Sequence, residues 1–412
     1  MKDIESDTAL YLSIVLLFLT ISLAGLATAP LRWDEGSFMG NAEALLGTDT
    51  HNFEENRPIA LSAAIAAIWT LTGESTFTAR LVISLSGLAA VYLFYLTARS
   101  EDLESPLVVA GMALSPLFLY WSFHAYSDIP ALALMLGSLY FYTRDRHLYA
   151  GGLMALATTF RYVYAVLGAG MLLGYLYSKR EQALRYVAGG LLGSIPFLGY
   201  STWKYGGPLQ KTLLYINRVS RWSDSELFAE TLANLKAGWT AVSVLGLAGI
   251  AGWRESRPHE RGMLLLYSVF VLVYAGNSFT RYWLPALPLL VLISARKFDR
   301  RQLLVILLAT FAVSGMSIAG QLEREYRCAG PFSKAMDHVS GLEGEVVSDR
   351  WAEAGYLLDR EVHGTWTGYG RLHSKYGVDY AVVREELNYS EVFSASSPCG
   401  TYHIYELGSG SR

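Results

Sequence analysis

The stretch ALYLSIVLLFLTISLAGLATAPL, residues 9–31, contains no charged side chain and is followed at once by Arg32-Trp33-Asp34-Glu35-Gly36. At about 1.5 Å per residue, a helix of this length crosses the roughly 30 Å hydrocarbon core of a bilayer. Acidic residues precede the run and further apolar runs follow it, which is unlike a cleaved signal peptide. The stretch therefore predicts a retained first membrane span that ends at two adjacent carboxylates.

The composition extends this prediction to most of the chain. The 412 residues are 52% hydrophobic and 17% charged, whereas a soluble domain has roughly 25% charged residues. Apolar runs recur near residues 78–98, 106–123, 129–143, 148–160, 163–178, 184–203, 238–253, 262–279, 283–295 and 302–320. We expect about eleven spans. The net charge of −3 gives no basic field that would hold nucleic acid.

Basic residues recur in the short loops between alternate runs. The cytoplasmic side would carry Arg99, Arg144, Arg146, Lys179, Arg180, Arg185, Arg254, Arg257, Arg261, Arg296, Lys297, Arg300 and Arg301. With a cytoplasmic amino terminus, the positive-inside rule places residues 30–77, 124–128, 204–237 and everything beyond 320 on the extracytoplasmic side. We therefore expect an integral membrane protein, and the compact loops favour the plasma membrane of a prokaryote.

The extracytoplasmic segments contain two kinds of predicted structure. Residues 35–47 and 58–73 are too short or too amphipathic to span, which indicates helices lying in the interface. After residue 320, strand-like EVVS, VDYAVV and TYHIYEL and a helical WAEAGYLLD predict a small soluble α/β domain. The predicted domains are thus 1–320, in the membrane, and 321–412, which a disulfide between Cys328 and Cys399 would staple.

Three acidic residues are candidates for chemistry. Asp34 and Glu35 follow the first span directly, and Asp128 lies in the turn HAYSDIP between two spans, near the same membrane plane. Carboxylates at such positions serve general acid and base catalysis. Each is equally well placed to cap or charge the start of a helix, and capping does not exclude catalysis.

Three arginines are candidates for binding an anion. Arg57 ends the outer loop HNFEENR, Arg161 separates two half-length apolar runs, and Arg281 begins RYWLPALPLL. Cations near or in a membrane are functional candidates that bind phosphate well, although a structural ion pair or a headgroup anchor would also explain them. No metal motif is present, so no cofactor is predicted with certainty. The weak candidates for a divalent metal are His51 and Glu54.

The order and common face of these features resemble the GT-C class of membrane glycosyltransferases, in the group of protein O-mannosyltransferases and aminoarabinose transferases. The resemblance covers roughly residues 10–300. Its motifs are the acidic pair after the first span, a basic residue before proline at Arg57, the outer acid at Asp128, and the Arg-Tyr-x-x-Pro segment at Arg281. It implies a catalytic group of Asp34, Glu35 and Asp128, and a substrate- and phosphate-binding group of Arg57, Arg161, Arg281, Glu55 and Tyr282.

The resemblance implies an inverting glycosyltransferase that uses a polyprenyl-phosphate sugar donor of the dolichyl-phosphate type. The acceptor would be a lipid, a glycan or a protein on the extracytoplasmic side. Two alternatives stay open: a transporter or flippase of a lipid-linked or anionic substrate, and an inactive receptor or scaffold. A transporter would place its polar groups at the membrane midplane in repeated halves, whereas the polar residues here cluster at the outer boundary.

Overall fold

The computed structural model describes residues 2–48, 53–55, 57–103, 105–178, 180–212, 227–274, 279–360, 362–364, 378–397 and 400–407. Its helices are α1 Lys2–Thr28, α2 Trp33–Leu46, α3 Ile59–Thr72, α4 Thr76–Arg99, α5 Pro106–Ala113, α6 Pro116–Trp121, α7 Asp128–Thr143, α8 His147–Phe160, α9 Tyr164–Ser178, α10 Arg180–Tyr205, α11 Leu227–Ala251, α12 Pro258–Tyr274, α13 Ala286–Lys297, α14 Arg300–Val339 and α15 Trp351–Leu358, with 3-10 turns at Trp253–Glu255 and Thr280–Trp283. The strands are β1 Glu345–Ser348, β2 Val362–Gly364, β3 Val378–Val383, β4 Ser390–Ser397 and β5 Gly400–Glu406.

The predicted apolar runs are helical over most of the residues that the structure describes, which confirms a polytopic helical protein with a small C-terminal sheet domain. One run differs, because residues 106–123 form two short helices, α5 and α6, instead of one. Pro116 opens the second of them, and a proline disfavours the helical conformation of the residue before it. The break therefore follows from the proline.

Several helices have the length and composition of membrane spans, and the chain is an integral membrane protein. Within the described segments, three helices are long and apolar enough to cross a bilayer: Thr8–Thr28, Thr76–Arg99 and Arg300–Val339. Two shorter apolar helices are α3 and α9. The count of about eleven spans and the orientation of the termini stay predictions.

Helices α8 and α10 approach each other so closely that only glycine fits between them. A Cβ atom added at Gly151 would lie 1.9 Å from the carbonyl oxygen of Tyr186, and one at Gly189 would lie 1.9 Å from that of Leu148. Small residues permit such backbone contact between helices in lipid, where packing replaces the hydrophobic effect as the driving force. The pair thus depends on the glycines on its contact face.

The C-terminal strands form one sheet in the order β2-β1-β3-β5-β4. Strand β1 pairs in parallel with β2 and β3, whereas β5 is antiparallel to β3 and β4. One face of the sheet packs against the end of α14 and against α15, through a core that includes Phe332, Val339, Val346, Ala354 and Ile404. The predicted strands EVVS, VDYAVV and TYHIYEL and the predicted helix are all present, whereas β2 and β4 were not predicted.

The chain divides into two compact units that do not follow the order of the sequence. The first comprises residues 1–26, 83–123 and 127–318, and the second comprises residues 27–82, 124–126 and 319–412. Helix α14 continues through residue 320, where the sequence predicts a domain boundary. The polar segment after 320 consists mostly of good helix-forming residues, so the helix does not end where the apolar run ends.

We expect Gly189→Ala to lower the stability of the protein by about 1–3 kcal/mol, because the added methyl group forces α8 and α10 apart. Thermal unfolding in detergent, followed by tryptophan fluorescence, measures the change. Gly199→Ala is the matched control, since it lies on the same helix with no atom within 4 Å of the added Cβ. Equal unfolding temperatures for the two variants would contradict the close contact.

Candidate active site

The first acidic candidate, Asp34, lies at the start of α2 in an ion pair with Arg57. Arg57 donates from Nη2 to Oδ1 of Asp34 at 2.7 Å and from Nε to Oε2 of Glu54 at 2.9 Å. The side chain of Asp34 is 12% exposed and that of Arg57 is 20% exposed. The helix begins at Trp33 with Arg32 as its N-cap, so the alternative that Asp34 is the cap is wrong.

The loop that carries Arg57 is fixed to α2 by Asn41. The side-chain amide of Asn41 donates to the carbonyl oxygen of Glu54 at 3.1 Å, and its oxygen accepts from the Glu54 amide at 2.6 Å. Asn41 is fully buried. This reciprocal pair orders the residues just before Arg57, and so it sets where the guanidinium meets Asp34.

The second acidic candidate, Glu35, is fully buried and is bound on both oxygens. Arg80 donates to Oε1 from Nε at 2.8 Å and to Oε2 from Nη2 at 3.0 Å. The backbone amides of Ala125 and Arg32 donate to the same carboxylate at 2.8 and 3.0 Å. Arg80 also donates to the carbonyl oxygens of Ala29 and Pro30. Glu35 therefore joins the end of the first span, α2, α4 and the turn at residue 125.

His124 adds to this environment and lies 3.3 Å from Glu35 through Nδ1. Burial alone would raise the pKa of Glu35, but His124 and Arg80 outweigh burial and hold that pKa well below its usual range. Burial lowers the pKa of His124, and the Glu35 carboxylate offsets only part of this effect. Glu35 is thus ionised throughout the physiological pH range, and Nδ1 of His124 faces its carboxylate.

The third acidic candidate, Asp128, pairs with Arg161 in the other compact unit. Arg161 Nε donates to Oδ1 of Asp128 at 2.8 Å, and the side chain of Asp128 is 3% exposed. Ser127 is the N-cap of α7 and Asp128 is its first residue, so the alternative of a capping role for Asp128 is wrong. The hydroxyl of Tyr164 donates to the carbonyl oxygen of Asp128 at 3.3 Å.

Arg281 lies in the same compact unit, in an aromatic surrounding. Its guanidinium carbon is 4.8 Å from the ring centre of Phe279, 5.5 Å from that of Trp121 and 5.7 Å from that of Tyr282. Arg161 lies 5.2 Å from the same Tyr282 ring. Cations over aromatic faces keep their charge in a poorly hydrated place, so the two arginines share one positively charged, aromatic cluster.

The remaining predicted residues are not brought together into a site of their own. Glu55 is exposed in the turn before Arg57, and His51 lies outside the described residues. Among the residues that are described, no three His, Cys, Asp or Glu side chains form a group that could hold a metal. Cys328 is disulfide-bonded, and because Cys399 lies outside the described residues, its pairing stays a prediction.

Sequence reasoning missed Arg80 and Asn41. Arg80 is a lone cation inside the apolar run 78–98, which is the same signal that singled out Arg161, so it could have been found. Asn41 gave no such signal, because a polar residue in an interfacial helix normally faces water. Its role depends on a loop that returns to the helix after residue 52.

Comparison with known proteins shows what this chain is similar to. Residues 56–203 match the model of the family described as dolichyl-phosphate-mannose-protein mannosyltransferase. The crystal structure of ArnT from Cupriavidus metallidurans in the apo state is similar over 97% of this chain and 98% of that chain, with 14% identity and a TM-score of 0.70. The fold is that of the GT-C membrane glycosyltransferases. No curated protein matches in sequence.

A second structure of ArnT from Cupriavidus metallidurans, bound to undecaprenyl phosphate, is similar over 98% of this chain and 99% of that chain, with 14% identity and a TM-score of 0.69. The likeness over nearly the whole of both chains confirms the GT-C fold that the sequence resemblance implied. The similarity includes the C-terminal region as well as the helices, because the alignment covers nearly all of both chains.

We expect Arg80→Met to destabilise the protein by about 3–5 kcal/mol, because it leaves the buried Glu35 carboxylate without its cation. Thermal unfolding and the fraction of monodisperse protein after purification measure the effect. The matched control is Arg99→Met, an exposed arginine at the other end of the same helix. The double variant Glu35→Gln with Arg80→Met recovers part of the loss if the unpaired charge is its cause.

Proposed function

We propose that this protein transfers a sugar from a polyprenyl-phosphate donor to a hydroxyl acceptor on the extracytoplasmic side of the membrane. The observation that carries the proposal is the Asp34–Arg57 ion pair at the start of α2, in a chain with the GT-C fold. Two findings support the donor class: residues 56–203 match a dolichyl-phosphate-mannose-dependent family, and a structure of the same fold binds undecaprenyl phosphate.

In this mechanism Asp34 is the general base. Its carboxylate takes the proton of the acceptor hydroxyl while that oxygen bonds to C1 of the sugar, and the bond between C1 and the phosphate oxygen breaks. Attack opposite the phosphate inverts the anomeric centre. The Arg57 guanidinium favours the ionised form of Asp34, which is the form that a base requires. Glu35, with both oxygens engaged, positions Asp34 rather than touching the substrate.

The arginine cluster binds the phosphate of the donor. Negative charge grows on the phosphate as the sugar leaves, and fixed cations stabilise that charge strongly where water is scarce. Arg161 is held by Asp128 at 2.8 Å, whereas Arg281 lies against three aromatic rings. Because aromatic rings support a cation where water is scarce, we assign the larger share of phosphate binding to Arg281, and we assign to Arg161 and Asp128 the orientation of the Tyr282 ring and of the donor.

A transporter or flippase of a lipid-linked substrate is the rival function. It would bind and move the same lipid without cleaving it. Both functions accommodate the arginines, but only a transferase breaks the bond between C1 of the sugar and the phosphate oxygen. The decisive measurement is therefore release of polyprenyl phosphate, with the purified protein in lipid and a panel of polyprenyl-phosphate sugars and acceptors.

We expect Asp34→Asn to lower the turnover number by about 10²–10⁴-fold, because the amide cannot accept the acceptor proton. The affinity for the donor should change little, since the proposed phosphate ligands are intact. Release of polyprenyl phosphate and binding of the donor are measured on the same preparation. The matched control is Asp337→Asn, an exposed aspartate on α14. Near-normal turnover of Asp34→Asn would show that Asp34 is not the base.

We expect Arg281→Met to weaken binding of polyprenyl phosphate by at least about tenfold, because the variant keeps the apolar stem and loses the cation that contacts the phosphate. Binding of undecaprenyl phosphate by native mass spectrometry measures this without turnover. Arg254→Met, an exposed arginine of the same compact unit, is the control. If Arg161→Met loses binding and Arg281→Met does not, the assignment between the two arginines is reversed.

A further inference from the structure

Helix α15 of the C-terminal domain lies directly on α2, the helix that begins with the acidic pair. The contact is at Gly36, the residue after Glu35. A Cβ atom there would lie 2.5 Å from the carbonyl oxygen of Ala352 and 3.0 Å from Cα of Glu353. No other residue type fits without moving one of the two helices. The backbone of α15 is therefore in contact with α2 within two residues of Asp34.

A second contact joins α15 to the helix that holds Glu35. The hydroxyl of Tyr356 lies 3.1 Å from Oγ1 of Thr76, and Thr76 is the first residue of α4. Arg80, one turn further along α4, donates to Glu35. Helix α15 thus contacts both of the helices that meet at the buried carboxylate.

Glu353 is the charged residue at this contact. It is fully buried, and it forms an ion pair with Arg350, whose guanidinium carbon lies 4.3 Å from the ring centre of Phe332 in the core of the C-terminal domain. Burial raises the pKa of Glu353 to about 7, Arg350 offsets part of this effect, and the nearby Glu35 adds to it while Arg32 opposes it. The carboxyl group of Glu353 therefore lies within electrostatic range of Glu35, the second member of the acidic pair.

We propose that Glu353 and the helix that bears it are positioning elements for Asp34, so that the C-terminal domain takes part in the chemical step. The inference rests on the proposed function, in which Asp34 is the base. A base must be held within a fraction of an ångström of its productive place, and a displacement of about 1 Å costs on the order of 10²-fold in rate. Helix α2 has only 14 residues and a glycine at the contact, so its place depends on what packs against it.

The test compares Glu353→Ala with Glu343→Ala, an exposed glutamate of the same domain. We expect Glu353→Ala to lower kcat by about 10-fold to 100-fold, with the KM for the lipid-linked sugar changed by less than about twofold, because its proposed phosphate ligands are untouched. Glu353→Gln should restore most of the activity, since the amide keeps a hydrogen bond to Arg350 and adds no charge beside Glu35.

The pH profile of kcat provides a readout that general destabilisation would not reproduce. The groups that face Glu353 are Arg350, Glu35 and Arg32. As the pH rises through about 7, Glu353 becomes ionised beside the carboxylate of Glu35, and the contact between α15 and α2 weakens. The ratio of kcat for Glu353→Gln to kcat for the wild type should therefore rise between about pH 6 and pH 8. A constant ratio would overturn the role of Glu353.

Tyr356→Phe tests the same contact in case Glu353→Ala does not fold. It removes only the hydrogen bond to Thr76, and amide hydrogen exchange of residues 33–46 should become faster than in Glu343→Ala. If the wild type releases polyprenyl phosphate and both Glu353→Ala and Tyr356→Phe match the control, the positioning role is wrong and the transferase stands. If the wild type releases no polyprenyl phosphate with any donor, both the proposed function and the positioning role are wrong.

Discussion

The buried pair of Glu35 and Arg80 is the interaction on which the segment between the first span and α4 depends. Taking two charges out of water costs several kcal/mol for each ion, and only good geometry with further hydrogen bonds offsets that cost. Arg80 provides both, because it binds the two carboxylate oxygens and the carbonyl oxygens of Ala29 and Pro30. The pair thereby fixes where the first span ends and where α2 begins. Asp34 is the second residue of α2.

Two adjacent carboxylates, Asp34 and Glu35, have different surroundings. Neighbouring residues on a helix point in directions about 100° apart, so Glu35 faces the protein while Asp34 faces the returning loop with Arg57. Both oxygens of Glu35 accept hydrogen bonds from fixed donors of the protein, the Arg80 guanidinium and the Ala125 amide. A carboxylate so occupied has a depressed pKa and cannot take a proton from a substrate. Asp34 instead pairs with Arg57, and its side chain is 12% exposed.

The helices could be predicted because the signal for each one is local: the length and the polarity of an apolar run are read from consecutive residues. Even the break in 106–123 is visible as Pro116. The pairing of the charges was not visible, since Arg80 and Glu35 are 45 residues apart, and Arg57, expected to bind phosphate, is paired with Asp34. A charge in a sequence shows that a partner is needed, but the fold decides which partner it meets.

In the C-terminal domain, the boundary indicated by composition differs from the boundary of the compact unit. Polarity changes near residue 320, where the last predicted span ends, and nothing in that change says which elements the following polar segment will bury. The burial is decided by shape: Gly36 leaves room for the backbone of Ala352, and Arg350, the N-cap of α15, pairs with Glu353 three residues later. Residues 27–82 and 319–412 are therefore in one compact unit. A change of polarity along the chain and the edge of a compact unit are therefore separate properties, and the second cannot be read from composition.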